Sequence, residues 1–214
     1  YPVADWDPAF ALTSGREPIC PRPRDMALIL RLLQPHTLGA VTYSEGVNDD
    51  VNKAVWSALS WNPARPVEEV LQDYARCFIG ERLADDFARG VLALEENWRG
   101  PLANNSGVDA TLARFQDMEK RASPAVLRNW RFQSALYRAY FDAYVRARLR
   151  QERASEAAAL ACLRTVATHG SGPAMTQAAG LLAQPPTDPA ALALRTRVHQ
   201  LAEALFQTVS YKAS

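Results

Sequence analysis

Lysine is scarce in this chain, with only Lys53, Lys120 and Lys212, and the net charge is +1. A balance so close to neutral lacks the basic excess that nucleic acid or an acidic lipid surface attracts, so neither is expected as a partner. Cysteine is equally sparse. Cys20, Cys77 and Cys162 are odd in number and far apart, which excludes a disulfide framework or zinc ribbon and leaves small buried hydrophobes as their expected role. No apolar run reaches transmembrane length, and the N-terminus lacks the basic and apolar regions of a signal peptide. There is no phosphate-binding glycine loop and no G-x-S-x-G nucleophile elbow. His36, His169 and His199 have no ligand spacing, so neither a metal nor a cofactor is expected.

What remains is ordinary globular material in length and composition. The first residue is Tyr rather than Met, and the expectation is a processed or excised piece of a longer parent. Its compartment and oligomeric state stay open; a periplasmic or secreted bacterial parent is compatible with the sequence.

Five of the fourteen prolines fall in residues 1 to 24, which read as a short strand near residues 1 to 4 followed by irregular chain. Met26, Ile29, Leu30 and Leu33 recur at helical spacing behind Asp25, a plausible cap, and Pro35 ends that helix. LGAVTY, residues 38 to 43, is a short aliphatic run of the kind that a buried parallel strand shows. From Asn48 onward the pattern is helix with punctuation. Val51, Ala54, Val55, Ala58 and Leu59 make one apolar face, and Pro66 and Gly80 bracket the next helix. Further helices are expected over residues 81 to 98 and 108 to 121, then one uninterrupted helix from Pro124 to Thr168, then shorter ones to residue 183 and from Pro189. The aromatic-rich stretch 129 to 149 is apolar on several sides and should lie centrally, with Arg131, Gln133, Arg138 and Asp142 paired internally. The fold class read from this order is mainly α: a helical bundle preceded by one or two short β-strands of an incomplete α/β barrel. The expected division is a barrel-end βα segment over residues 1 to 62, with strands near 1 to 4 and 38 to 43, and an all-helical domain over residues 63 to 214.

The chemistry-bearing cluster is TYSEGVNDDVNK, residues 42 to 53. Glu45 stands where the chain would leave a strand, the edge at which α/β folds bind ligands, and no helix or cap explains it. Asp49 and Asp50 open a helix, where negative charge is favourable, and Lys53 sits four residues after Asp49, the spacing of a surface ion pair. Glycosidic-bond chemistry needs two carboxyl groups flanking the bond, with aromatic platforms and polar groups holding the sugar. Trp6, Arg16, Tyr43, Trp56 and Trp61 lie in or beside the two strand-end regions, although Trp56 and Trp61 also fit a core role.

Residues 42 to 80 resemble the last barrel strand and following helices of bacterial glycoside-hydrolase-like proteins, in which a (β/α)8 barrel runs into a helical C-terminal domain. Trp61-Asn62-Pro63 ahead of a helix ending Asp73-Tyr74-Ala75-Arg76-Cys77-Phe78 is similar to the helical domains of α-glucuronidases and α-N-acetylglucosaminidases. The resemblance implies a carbohydrate substrate, reached together with a barrel portion absent from this sequence. It implies Glu45, Tyr43 and Asp49 as groups that touch or support the substrate, with a catalytic role for Glu45 as the hypothesis to test, and Trp6, Arg16, Asp50, Lys53 and Trp61 join them as substrate-binding candidates read from the residues. In such barrels the principal acid and base come from earlier strands, so this chain alone would be silent. The alternative is a non-enzymatic helical interaction module, in which these residues are scattered and a late helix exposes an apolar stripe.

Overall fold

The computed structural model describes residues 19 to 39, 41 to 42, 49 to 183 and 188 to 209. Among the described residues there are ten α-helices, three short 3-10 turns and no strand. The chain is therefore mainly helical. The strand expected near residues 1 to 4 falls outside the described residues. At the described positions of the 38 to 43 run the strand is not formed. Leu38, Gly39, Val41 and Thr42 have no ladder, and Leu38 and Val41 are fully exposed; an aliphatic run is a strand only where a neighbouring strand supplies hydrogen bonds and cover.

The first four helices are α1 (Pro23–Leu33), α2 (Asp50–Trp61), α3 (Val67–Phe78) and α4 (Ala84–Glu96). They pack in sequence order, α1 on α2, α2 on α3 and α3 on α4. α5 (Gly107–Arg121) packs on α4 and on the long α7 (Trp130–Leu163). Phe87, Phe115 and Phe132, one each from α4, α5 and α7, are completely buried and meet with ring centroids 6.3 Å apart across both Phe87 contacts. Gly90 permits this approach: a Cβ there would lie 2.9 Å from Cζ of Phe115. Gly80 ends α3 region at φ 109°, a conformation that only glycine adopts without strain.

The uninterrupted helix expected from Pro124 to Thr168 is divided. α6 (Pro124–Leu127) is one turn, and α7 starts afresh because the Asn129 side chain accepts from the Arg131 N–H at 2.9 Å while its amide donates to the Phe78 carbonyl at 2.6 Å. An asparagine that caps one helix and ties down the end of another outcompetes continuous helix at that point. At the other end α7 stops at Leu163 and α8 (Val166–His169) follows before Gly170 turns the chain at φ 83°. α9 (Ser171–Leu182) and α10 (Pro189–Val209) fold back on α7. Ala159, Ala174, Ala178 and Ala191 are buried there, so the second half of α7 meets its neighbours through methyl groups, whereas the first half is walled by aromatics.

One continuous core runs from Ile19 through α1 to α5 and the first half of α7 to Val198, Leu201 and Leu205 of α10. The cysteines do not join it as expected. Cys77 is exposed and Cys20 and Cys162 are half-buried, all three free. No described helix is long and apolar enough to cross a membrane.

Candidate functional site

Polar side chains tie α1, α2, α4 and α7 together, and Asp142, Glu95 and Asp50 have both carboxylate oxygens engaged. Asp142 of α7 is fully buried and receives Asn97 Nδ2 at 2.8 Å, Trp98 Nε1 at 2.8 Å and Arg138 Nε at 2.6 Å. Burial pushes its carboxyl up, opposed first by the Arg138 charge and then by the Asn97 and Trp98 donors. None of those three groups can accept a proton from it, so the site is built for the carboxylate. The bond to Asp142 sets the orientation of the Asn97 amide, whose Oδ1 lies 3.0 Å from the Thr111 hydroxyl, itself 2.9 Å from the Gly107 carbonyl. Arg138 in turn donates to the Ile19 carbonyl at 2.9 Å.

Two further side chains hold the same incoming segment. Asn52 of α2 accepts from the Arg22 N–H at 2.7 Å and donates to the Cys20 carbonyl at 2.8 Å. Glu95, near the end of α4, accepts from the backbone N–H groups of Arg24 and Asp25 at 3.1 and 3.0 Å. It therefore caps α1 from another helix, the role expected of Asp25, which instead pairs with Arg99 at 2.9 Å. Burial pushes the Glu95 carboxyl up, and those two N–H groups hold the shift back.

Of the residues singled out from the sequence, Trp6, Arg16, Tyr43 and Glu45 lie outside the described residues. Asp50 is taken up by the bundle: Tyr74 donates to it at 2.5 Å and Arg131 binds both oxygens at 2.8 and 3.2 Å. Arg131 also lies 3.9 Å over the Phe78 ring and 4.3 Å over the Trp130 ring. Burial, then the bond to Asp50, pushes the Tyr74 hydroxyl far above its ordinary value, so it remains a donor. Asp49 accepts from Asn52 Nδ2 at 3.2 Å, and no ion pair joins it to Lys53 among the described residues. Trp61 is neither core nor cleft wall, being 92% exposed at the far end of α2, about 16 Å from Asp50 at the helical rise. Asp50 and Trp61 therefore do not share a site. Among the described residues no cluster of His, Cys, Asp or Glu could hold a metal ion.

The surface that stands out is one that sequence reading missed. α1 buries only Pro23, Ala27 and Leu30, while Leu28, Ile29, Leu32 and Leu33 share an outward face, Leu32 at 63% and Leu28 at 57% exposure. Ile29 and Leu33, expected on the core side, belong to this open face. Beside it a groove of about 290 Å³ opens between α1, residues 37 to 39 and α2, walled by Leu30, Leu33, Leu38, Trp56 and Ser60. Trp56 packs on the core, as its alternative role anticipated, yet its buried Nε1 has no acceptor among the described residues. Scattered exposed leucines are ordinary on a soluble protein; four on one helix face beside an apolar groove mark a contact surface. The signal was present in LILRLL, residues 28 to 33, whose aliphatics cover more of the helix circumference than one core face requires.

No protein-family model matches the chain, and no curated protein or solved structure matches it either.

Proposed function

We propose that these helices are the C-terminal helical portion of a carbohydrate-active, glycoside-hydrolase-like enzyme, and that the α1 face with the 38 to 42 run is where this portion packs on the barrel of a longer chain. The observation that carries the reading is the pairing of two unsatisfied surfaces. At the described positions of the aliphatic run Leu38 and Val41 stand in solvent with no strand beside them among the described residues, and next to them a helix turns four large aliphatics outward. A barrel end seated there would supply the missing strand neighbours and cover the helix with one contact. The resemblance of residues 42 to 80 gives the larger body its class.

On this reading Glu45 is the carboxylate at the barrel edge, with Trp6, Arg16, Tyr43, Asp49 and Lys53 around the sugar, and the isolated chain is inactive. Asp50 takes a different part. Its oxygens are held by Tyr74 and Arg131, so it anchors the start of α2 directly after the Glu45 turn rather than reaching substrate. The test is the intact mass of the native gene product and its turnover of aryl glycosides and uronic-acid oligosaccharides. A chain much longer than 214 residues that cleaves a glycoside, and loses turnover on Glu45→Gln, is the expected result. If Glu45→Gln only weakens substrate affinity, the carboxylate is not the acid or base.

A second reading, a non-enzymatic interaction module, draws support from exposed Leu160, Leu163, Met175 and Leu182 on the late helices. A native chain starting at Tyr1 and inert to every sugar would select it, with the α1 face as docking site for a separate protein.

A further inference from the structure

A second cavity, remote from α1, lies where the middle of α7 passes the end of α9 and the first turns of α10. It holds about 410 Å³ and is walled by Tyr144, Arg148, Glu152, Ser155, Leu182 and Arg195, with Gln151 beneath. Its charge pattern is uneven. Arg148 is satisfied by Glu152, its Nε lying 2.6 Å from the carboxylate one helical turn on. Arg195, on the opposite wall, is exposed and has no hydrogen-bond or ion-pair partner among the described residues. Gln151 contributes a buried amide oxygen with no partner among the described residues. Two guanidinium groups thus face a single carboxylate across a crevice that also offers the Ser155 hydroxyl, the Tyr144 hydroxyl beside Arg148 and one leucine side chain. A guanidinium with open donors binds planar or tetrahedral oxyanions, often through two bonds at once.

We propose that this crevice binds a small organic anion, through one carboxylate or phosphate group held by Arg195, with the Arg148–Glu152 pair and the Tyr144 and Ser155 hydroxyls taking the ligand's hydroxyl or amine groups. The ligand size fits the volume, which is at the small end of known small-molecule sites. The proposal is independent of the carbohydrate reading, since no residue of the α1 face or the 42 to 53 stretch lines the crevice.

The test is calorimetric titration of the 214-residue chain, at low ionic strength, with succinate in one arm and inorganic phosphate in the other. Arg195 is exposed and pairs with nothing among the described residues, so Arg195→Ala leaves the fold intact; its thermal midpoint checks this. Arg153→Ala, an exposed arginine of α7 that does not line the crevice, is the control for general charge. The expected result is saturable one-site binding of at least one anion, weakened about tenfold or more by Arg195→Ala, the scale of one charge-assisted contact, and unchanged by Arg153→Ala. Saturation by succinate alone or by phosphate alone supports the site and assigns its anion class. No saturable heat with either anion, or equal weakening by both substitutions, overturns it.

Discussion

Asp142→Asn changes one buried oxygen to an NH2 group and should be among the most destabilising single changes in the bundle. The carboxylate takes three donors, and the substitution acts on all of them. Arg138 loses its buried countercharge, and removing one partner of such a pair typically costs about 3–5 kcal/mol because the remaining charge cannot reach water. The new NH2 also meets either Asn97 Nδ2, 2.8 Å away, or the Trp98 and Arg138 N–H groups on the other oxygen. Asn97 can turn its amide to meet that NH2, because the Thr111 hydroxyl then accepts from Nδ2 while donating to the Gly107 carbonyl, so the lost countercharge is the main cost. For a chain of this size the loss corresponds to a fall in Tm of about 10 °C, taking roughly 2–4 °C per kcal/mol. Urea unfolding followed by circular dichroism near neutral pH measures it, and a cycle with Arg138→Met isolates the pair. The double variant should cost clearly less than the two single changes together, since no unpaired charge is left buried. An Asp142→Asn cost under about 1 kcal/mol, or a cycle additive within about 0.5 kcal/mol, would show that the network does not act as a charged unit.

Two further substitutions bear on packing and on acid stability. Gly90→Ala places a methyl 2.9 Å from Cζ of Phe115 and 3.3 Å from Cε of Met118, so it should destabilise by about 1–3 kcal/mol despite the higher helix propensity of alanine; a rise in urea midpoint would refute the close approach of α4 and α5. Asp86 accepts from Arg89 at 2.7 Å and from Arg121 at 2.6 Å, and these two bonds hold its carboxyl below the ordinary value. A lowered folded value means that its contribution is present above the ordinary carboxylate pKa of about 4 and is lost as pH falls through the lowered one. Asp86→Asn should therefore cost up to about 1 kcal/mol near neutrality, the scale of a partly exposed pair, with the gap to the native chain closing in strong acid. A gap that stays constant down to about pH 2 would remove the ion pairs as its cause.

The helices were legible because their apolar faces are periodic: Val51, Val55 and Leu59 are buried as read. The internal pairing of Arg131, Arg138 and Asp142 was legible too, since charges on a helix apolar on several sides must find partners. The break at Asn129 was missed because asparagine is tolerated within a helix. What makes it a cap is the Phe78 carbonyl, fifty-one residues earlier in sequence. Glu95 is the same case, because a carboxylate capping another helix leaves no local pattern. Trp61 was weighed as core or sugar platform and is neither among the described surroundings, for nothing in the sequence says which residues of a helix end meet neighbours. The strand over 38 to 43 was inferred from composition alone, and composition cannot supply the adjacent strand on which pairing depends.

The manner in which α1 is held bears on why its outer face stays apolar. An isolated helix of 11 residues is marginal in water. Its inner side buries only Pro23, Ala27 and Leu30, with Met26 partly covered, so polar anchors add to its hold: Asn52 and Arg138 fix the chain just ahead of α1, and Glu95 satisfies its first N–H groups. These bonds orient the helix without using its outer side. Leu28, Ile29, Leu32 and Leu33 are thus free of any duty to the bundle, and burying each on a partner would return roughly 1 kcal/mol or more. A helix secured by polar groups at its start and left apolar along its outside is already oriented for a second body, and covering that face would complete its stabilisation.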